Sequence, residues 1–387
     1  MRLESQLTAR IMRQREKNLY RQRNLIDYHE GVHASIGQQK LLVFSGNDYL
    51  GLSRHPKLMA AMQEGMQQYG VSAMASQMVV GHLAIHRRVE EAFAEFLGRD
   101  ATLLFSSGYM ANLGVISALA DKKSFILADK YAHASLIDAA HLSQAKLLRF
   151  KHLNYLQLEN QLSTLVDAQV LVLTESVFSM RGDRTDLKKC AALCEKSSAS
   201  LLVDDAHAIG ILGTEGKGSA ELLTQAELPI LICPLAKAFA VTGAVVAGSK
   251  QLIESLVQFS RSYCYTNAIP PMLAHAALTS LTLVRQENWR REKLFALINY
   301  FKQRAKLLDI SLLASNTPIQ IIEIGDAERA SNISAQLFLR GFLLHAMRPP
   351  TVPPQSSCLR VSLSCLHTEK QIDELLLNIK KIYEDLS

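Results

Sequence analysis

Leu201-Leu-Val203-Asp204-Asp205-Ala206-His207 is an apolar strand that closes on two acids and a histidine. It is one of a series. Outward from it, short apolar runs at residues 102–105, 124–128, 170–174, 230–233 and 244–248 alternate with helical stretches such as 109–120 and 187–196. Strand and helix in alternation predict a mostly parallel sheet covered on both faces. Ligands in such folds sit beyond the C-terminal ends of the strands, which is where Asp204 and His207 fall.

Further out the rhythm changes. Pro56 starts a helix in which Leu58, Met59, Met62 and Met66 recur at helical spacing, and Gly70 stops it. Residues 1–30 are polar and read as an amphipathic helix. A long helical stretch runs from about residue 271 to 308. Beyond it, strands at 319–324, 342–345 and 359–363 surround a helix near 327–340, and a last helix covers 369–386. The predicted class is α/β. A large domain (46–285) has a mostly parallel sheet between helices. A helical segment (1–45) precedes it, and a smaller C-terminal α+β domain (286–387) follows.

With 387 residues, 48% of them hydrophobic, the chain has ample material for a large core. The 20% of charged residues are mixed in sign, which excludes a disordered chain. A net charge of +6 suits an anionic substrate or an acidic carrier, and is too dispersed to argue for nucleic acid. Arg87-Arg88 and Arg290-Arg291 read as solvated helix faces. The first thirty residues lack the apolar core of a signal peptide, and no apolar run is long enough to span a membrane, so a cytoplasmic protein is expected. Of six cysteines only Cys190 and Cys194 are close, four apart and without a paired motif. Free thiols and no metal site are expected.

Lys237 is the only charged residue between Glu227 and Lys250. Lysine is rarely buried without a partner, and a buried one has its pKa pushed down, which makes an amine nucleophile for a carbonyl. The plain alternative is a lysine at a turn between two strands, reaching for solvent. Asp204 has the placement to hold a pyridinium nitrogen protonated, and His207, three residues on, to reach a phenolic oxygen. Equally, an Asp there can cap a turn. Ser106-Ser107-Gly108-Tyr109 joins a strand to a helix start, whose backbone N–H groups suit a phosphate. His133, just after another strand, offers a flat ring for stacking.

Singly, each stretch has a structural reading; together, in this order, they are specific. The chain resembles the α-oxoamine synthases, fold-type-I pyridoxal-phosphate enzymes, over nearly its whole length. The likeness runs through Ser45-Gly-Asn47-Asp-Tyr49-Leu-Gly51, Ser107-Gly108-Tyr109-Met-Ala-Asn112, His133-Ala-Ser-Leu, Glu175-Ser-Val-Phe-Ser179-Met-Arg-Gly182-Asp183, Asp204-Asp-Ala-His207, Lys237, Arg348-Pro-Pro-Thr351-Val-Pro353 and Leu359-Arg360-Val. The resemblance implies pyridoxal 5'-phosphate held by Lys237 as a Schiff base. It implies catalytic roles for Lys237, His133, Asp204 and His207, and cofactor contacts from Gly108, Tyr109, Ser179, Thr266 and Asn267, the last two serving the neighbouring subunit of a homodimer. Arg360 and Asn47 would take the amino-acid carboxylate. The stretch Arg348–Pro353, with Thr351, and Arg21 point to the branch of the family that joins L-alanine to a pimeloyl thioester, carried on coenzyme A or on acyl-carrier protein. Sister activities on glycine with acetyl- or succinyl-CoA share the cofactor residues, and a scaffold that has lost turnover is a third reading.

The departures from the family pattern are systematic. Its glycine-rich stretch after the first helix reads here Val71-Ser-Ala-Met74-Ala-Ser-Gln77. Its Thr-x-Gly-Lys-Gly-x-Gly reads Pro234-Leu-Ala-Lys237-Ala-Phe-Ala240. Alanine tolerates positive φ and close backbone approach less well than glycine, and Pro234 offers a phosphate neither hydroxyl nor N–H. The anchorage of the phosphate is expected to be thinned.

Overall fold

The computed structural model describes residues 2–16, 20, 23–349 and 351–385. Its contacts divide the chain into two compact units, residues 47–296 and residues 1–46 together with 297–387. The N-terminal residues therefore fold with the C-terminal ones and are not a segment of their own. Of the helix expected over residues 1–30 the described part is Arg2–Glu16, residues 17–19 and 21–22 lying outside the described residues, and Tyr28–Glu30 is a strand. It is the first of three: β1 (Tyr28–Glu30), β2 (His33–Ile36) and β3 (Gln39–Val43).

The large unit carries seven strands: β4 (Ala101–Phe105), β5 (Phe125–Asp129), β6 (Lys146–Phe150), β7 (Val170–Glu175), β8 (Ser200–Asp204), β9 (Ile230–Pro234) and β10 (Ala244–Gly248). They lie in the order β4-β10-β9-β8-β7-β5-β6. All neighbours are parallel except at β10, which runs antiparallel to β4 and β9. Every residue of β7, β9 and β10 is buried. A strand covered on both faces must be apolar throughout, which is why these stretches stand out in the sequence. Leu103, Phe105, Val115, Ile116, Leu136 and Leu202 pack with Ile232 and Val246 into one core. Each such side chain contributes roughly 1.5–3 kcal/mol on burial.

The helices start where local chemistry directs. Pro56 opens Pro56–Tyr69, and Gly70 ends it at φ +79°. Asp186 caps Leu187–Lys196 by accepting the Lys189 N–H. Arg290 and Arg291 are not a solvated face. Both are buried, Arg290 donating to the Leu50 carbonyl (2.9 Å) and Arg291 to Asn288 Oδ1 (2.8 Å). Arginines satisfied by backbone carbonyls and amides pin a chain connection, a role with no local sequence signal.

In the smaller unit β11 (Ile319–Gly325), β14 (Ser357–Ser362) and β13 (Ala346–Met347) form one antiparallel sheet. The strand β12 (Phe342–Leu343) pairs parallel with β3. That pairing ties the two ends of the chain together: Leu42 N–H donates to the Gly341 carbonyl and Phe44 N–H to that of Leu343. Among the described residues no helix is long and apolar enough to cross a membrane.

Candidate active site

The parallel strands of the large unit deliver polar residues at their C-terminal ends: Ser107 after β4, His133 after β5, Glu175 ending β7, Asp204 ending β8 and Lys237 after β9. A cavity of about 400 Å³ lies at the opposite end of the sheet, bordered by Ala120, Val170, Ile230 and Leu252. It has no ionisable lining, and the chemistry is not there.

Lys237 sits in the turn between β9 and β10, half-buried, and the Ala240 N–H closes that turn on its carbonyl at 3.0 Å. Its Nζ lies 2.9 Å from His207 Nε2. His207 Nδ1 lies 2.7 Å from the hydroxyl of Tyr49, which donates to Asn47 Oδ1 at 3.2 Å. One proton assignment gives every donor in this row an acceptor: Lys237 to His207 Nε2, His207 Nδ1–H to Tyr49, Tyr49 O–H to Asn47. The imidazole is then neutral, with its basic nitrogen facing the lysine. The turn reading and the functional reading of Lys237 thus meet in one geometry.

A second row begins at Asp204, 5% exposed. Its Oδ1 accepts the Ala206 N–H (3.0 Å) and its Oδ2 accepts Asn112 Nδ2 (2.8 Å). The same Nδ2 reaches Ser135 Oγ at 2.8 Å, and Ser135 Oγ lies 2.7 Å from His133 Nδ1. Nδ1 also accepts the Ser135 N–H as the helix cap, so neutral His133 carries its proton on Nε2. Part of the ring is open, yet desolvation by its surroundings lowers its pKa; Asp204 works against this and Lys237 with it. Next to Asp204 in register is the fully buried Glu175. Burial first, and Asp204 second, push its pKa up to about 8, against the pull of Lys237. The backbone N–H groups of His133 and Ser179 face its carboxylate. Asp205 turns away from the site: Ser219 Oγ and N–H both bond it, and it anchors the loop beyond.

Gly108 and Tyr109 open the helix Gly108–Leu119, capped by Ser107 Oγ, which accepts the Met110 N–H. Their N–H groups have no carbonyl one turn back within the helix. A methyl group on Gly108 would lie 2.6 Å from Pro234 Cγ, so the two residues are in contact and only glycine fits. Ser179 lies in the loop after β7. Thr266 and Asn267 follow the short helix Arg261–Cys264, and Asn267 bridges antiparallel to Ser76. Arg348, Thr351 and Arg360 belong to the smaller unit. Arg360 is buried on β14 with Nη1 2.6 Å from Ser362 Oγ, and the Arg348 carbonyl accepts the Thr351 N–H at 3.0 Å. Arg21 lies outside the described residues. Sequence reading passed over Tyr49, Asn112, Ser135 and Glu175 as participants. All four stand in stretches that carry the family resemblance, but only their partners reveal what each does.

The model of the family described as aminotransferase class I and II matches residues 39–379. An 8-amino-7-oxononanoate synthase from Pseudomonas putida is 47% identical over 382 residues, 98% of either chain. The solved 8-amino-7-oxononanoate synthase of Francisella tularensis is 35% identical, covers 89% of this chain and 98% of its own, and has a TM-score of 0.79. A serine palmitoyltransferase from S. paucimobilis with bound PLP–myriocin aldimine has a TM-score of 0.91 at 27% identity, covering 98% and 97%.

Proposed function

The chain belongs to the family of class I and II aminotransferases, and from that premise we propose that it makes 8-amino-7-oxononanoate for biotin synthesis from L-alanine and a pimeloyl thioester, releasing CO2 and a free thiol. It is a pyridoxal-phosphate-dependent acyltransferase. The observation that carries the reading is the convergence of Lys237, His207, Asp204 and His133 through two hydrogen-bonded rows at the C-terminal ends of the strands.

The residues fit the cofactor. An amine, a buried carboxylate and a helix N-terminus with close-packed glycine match its aldehyde, ring nitrogen and phosphate. Glu175 Oε1 and Asn112 Oδ1, buried beside Asp204, have no hydrogen-bond partner among the described residues. When bound, pyridoxal phosphate supplies an electron sink for the pair left by the substrate's Cα–H bond.

The chain's own groups do the rest. Lys237 would hold the cofactor through Nζ, and the same amine would take the substrate's Cα proton. His207, fixed by Tyr49, receives the lysine's hydrogen bond and keeps the amine aimed. Asp204 would hold the ring nitrogen; Asn112 and Ala206 occupy two of its roughly four lone-pair sites and leave capacity for that contact. His133 would hold the ring from its face and offer a proton from Nε2. Gly108, Tyr109 and Ser179 hold the cofactor. Arg360, with Asn47, grips the alanine carboxylate as a fork, and Arg21, Arg348 and Thr351 serve the acyl substrate. Two chains form a homodimer in which Thr266 and Asn267 reach the neighbour's phosphate.

The test offers L-alanine with pimeloyl-CoA and with pimeloyl-acyl-carrier protein. CO2 and the α-oxoamine are expected from one or both carriers. A preference for glycine with acetyl- or succinyl-CoA moves the chain to a sister activity. Borohydride should fix the cofactor to Lys237, and an adduct on another lysine overturns that assignment.

A further inference from the structure

His152 follows β6 and is part of neither row. Its Nδ1 lies 2.9 Å from Asp129 Oδ1 and its Nε2 2.9 Å from Asp183 Oδ2. A carboxylate oxygen can only accept, so both nitrogens donate and the ring is an imidazolium. Burial works to lower its pKa, but the two carboxylates more than reverse this and raise it to about 9.

The two acids belong to the segments that bear ring-facing groups. Asp129 ends β5, and its carboxylate also accepts the N–H groups of Tyr131 (2.7 Å) and Leu153 (2.9 Å), shaping the turn that leads to His133. Asp183 closes the loop that bears Ser179: its carbonyl accepts the Phe178 N–H at 3.0 Å, and its carboxylate also meets Arg181 Nε at 3.0 Å. The imidazolium lies edge-on to Phe178 (4.5 Å) and against Tyr131 (4.7 Å), one aromatic from each segment. Glu175 links the same two segments through the backbone N–H groups of His133 and Ser179.

We infer that His152 is a positioning residue for the reaction: through Asp129 and Asp183 it locks the turn carrying His133 to the loop carrying Ser179 and so sets both groups against the cofactor. The inference rests on the functional reading given above. A neutral side chain at 152 leaves the buried Asp129 and the half-buried Asp183 without the cation between them, and the segments part.

Two measurements test it. Histidine-selective 15N NMR on protein without added cofactor should find both His152 nitrogens protonated at pH 8; a neutral ring there overturns the clasp. His152→Asn, compared with wild type, should bind pyridoxal phosphate one to one but lose at least half of the visible circular dichroism per bound cofactor. Its kcat should fall tenfold or more while KM for alanine changes less than threefold. Asp183→Asn, which keeps the acceptor oxygen and loses the charge, should show a smaller loss of the same kind. Folded His152→Asn with unchanged dichroism and kcat overturns the role of His152 alone. So does a loss of activity that only tracks the fraction unfolded. Wild type that takes up no pyridoxal phosphate overturns the functional reading, and the assigned role with it, whatever the NMR result.

Discussion

Pro234 ends β9 with its ring on the Cα of Gly108, at the first turn of the helix that would receive the phosphate. It fills with carbon a place where the family pattern has a hydroxyl. Hydrogen bonds to charged groups are worth about 1.5–3 kcal/mol. Pro234→Thr should therefore tighten pyridoxal phosphate by roughly tenfold to a hundredfold, read by dialysis and fluorescence titration; an unchanged dissociation constant means another group already occupies that site. Three residues past the lysine, Ala240 has φ +54°. Left-handed backbone costs a residue with a Cβ about 1–2 kcal/mol, and glycine returns roughly 0.4–1 of that as unfolded-state entropy. Ala240→Gly should raise stability by about 0.5–1 kcal/mol in urea unfolding. A loss instead would mean that the Cβ packs in a way that outweighs the strain. Met74, in the other stretch where the pattern has glycines, is also left-handed, at φ +64°. Both departures thus retain the glycine-like backbone and carry its strain.

The helix Ala84–Leu97 is joined to β4 by Glu90, whose Oε1 accepts the Leu104 N–H at 3.0 Å. Burial raises its pKa to about 7 despite that bond. His82 Nε2, 3.9 Å from Oε2, has its own pKa lowered, by burial first and Arg87 second. It therefore supplies little counter-charge at neutral pH. The folded state thus holds a proton on Glu90 that the unfolded chain releases near pH 4.5. The stability this protonation gives is complete below pH 4.5 and is lost as the pH rises through 7. Glu90→Gln keeps the acceptor and removes the titration. It should gain on the order of 2 kcal/mol over wild type at pH 8 and nearly nothing at pH 4, read from denaturant midpoints; equal gains at both pH values would show that Glu90 is not the group. Elements of this kind differ in legibility. The strands β7 to β10 are buried on both faces and announce themselves as apolar runs. β6, Lys146-Leu-Leu-Arg-Phe150, lies at the sheet edge with charges at positions open to solvent, so its pattern is diluted. β1 to β3 are three to five residues long, too short to show a period, and owe their existence to partners, one of them some 300 residues away in β12. The site follows the same rule. Lys237, Asp204, His207 and His133 interrupt apolar stretches and were visible. Asn112, Ser135, Tyr49 and His152 act by contact with residues remote in sequence, which no local window contains.

At the scale of the whole molecule, the stretch just before the helix Ala84–Leu97 is unusually apolar for an exposed one. Met74 is 84% exposed, Val79 73% and Val80 62%, and Tyr265, close to the Ser76–Asn267 bridge, is 76% exposed. Clustered apolar exposure of this kind marks an interaction surface, and a twofold homodimer is the simplest assembly that buries it on itself. The Ala268 N–H donates to the Ala75 carbonyl at 3.0 Å, so the segment bearing Thr266 and Asn267 is fixed to this surface. If these two residues serve the neighbour's phosphate, each site needs both chains. Lys237→Ala removes the amine, and Asn267→Asp sets a carboxylate against the phosphate, so each variant alone should be inactive. Mixed, denatured and refolded together in equal amounts, half of the dimers would be hybrids. Every hybrid would then hold one site with both lesions and one with neither, and about a quarter of wild-type activity should return. If each site were complete within one chain, every chain would carry one lesion and nothing would return. Val79→Glu, which places a charge in the buried contact, should abolish the recovery by leaving monomers on sizing chromatography. Recovery that persists among monomers would refute the shared site.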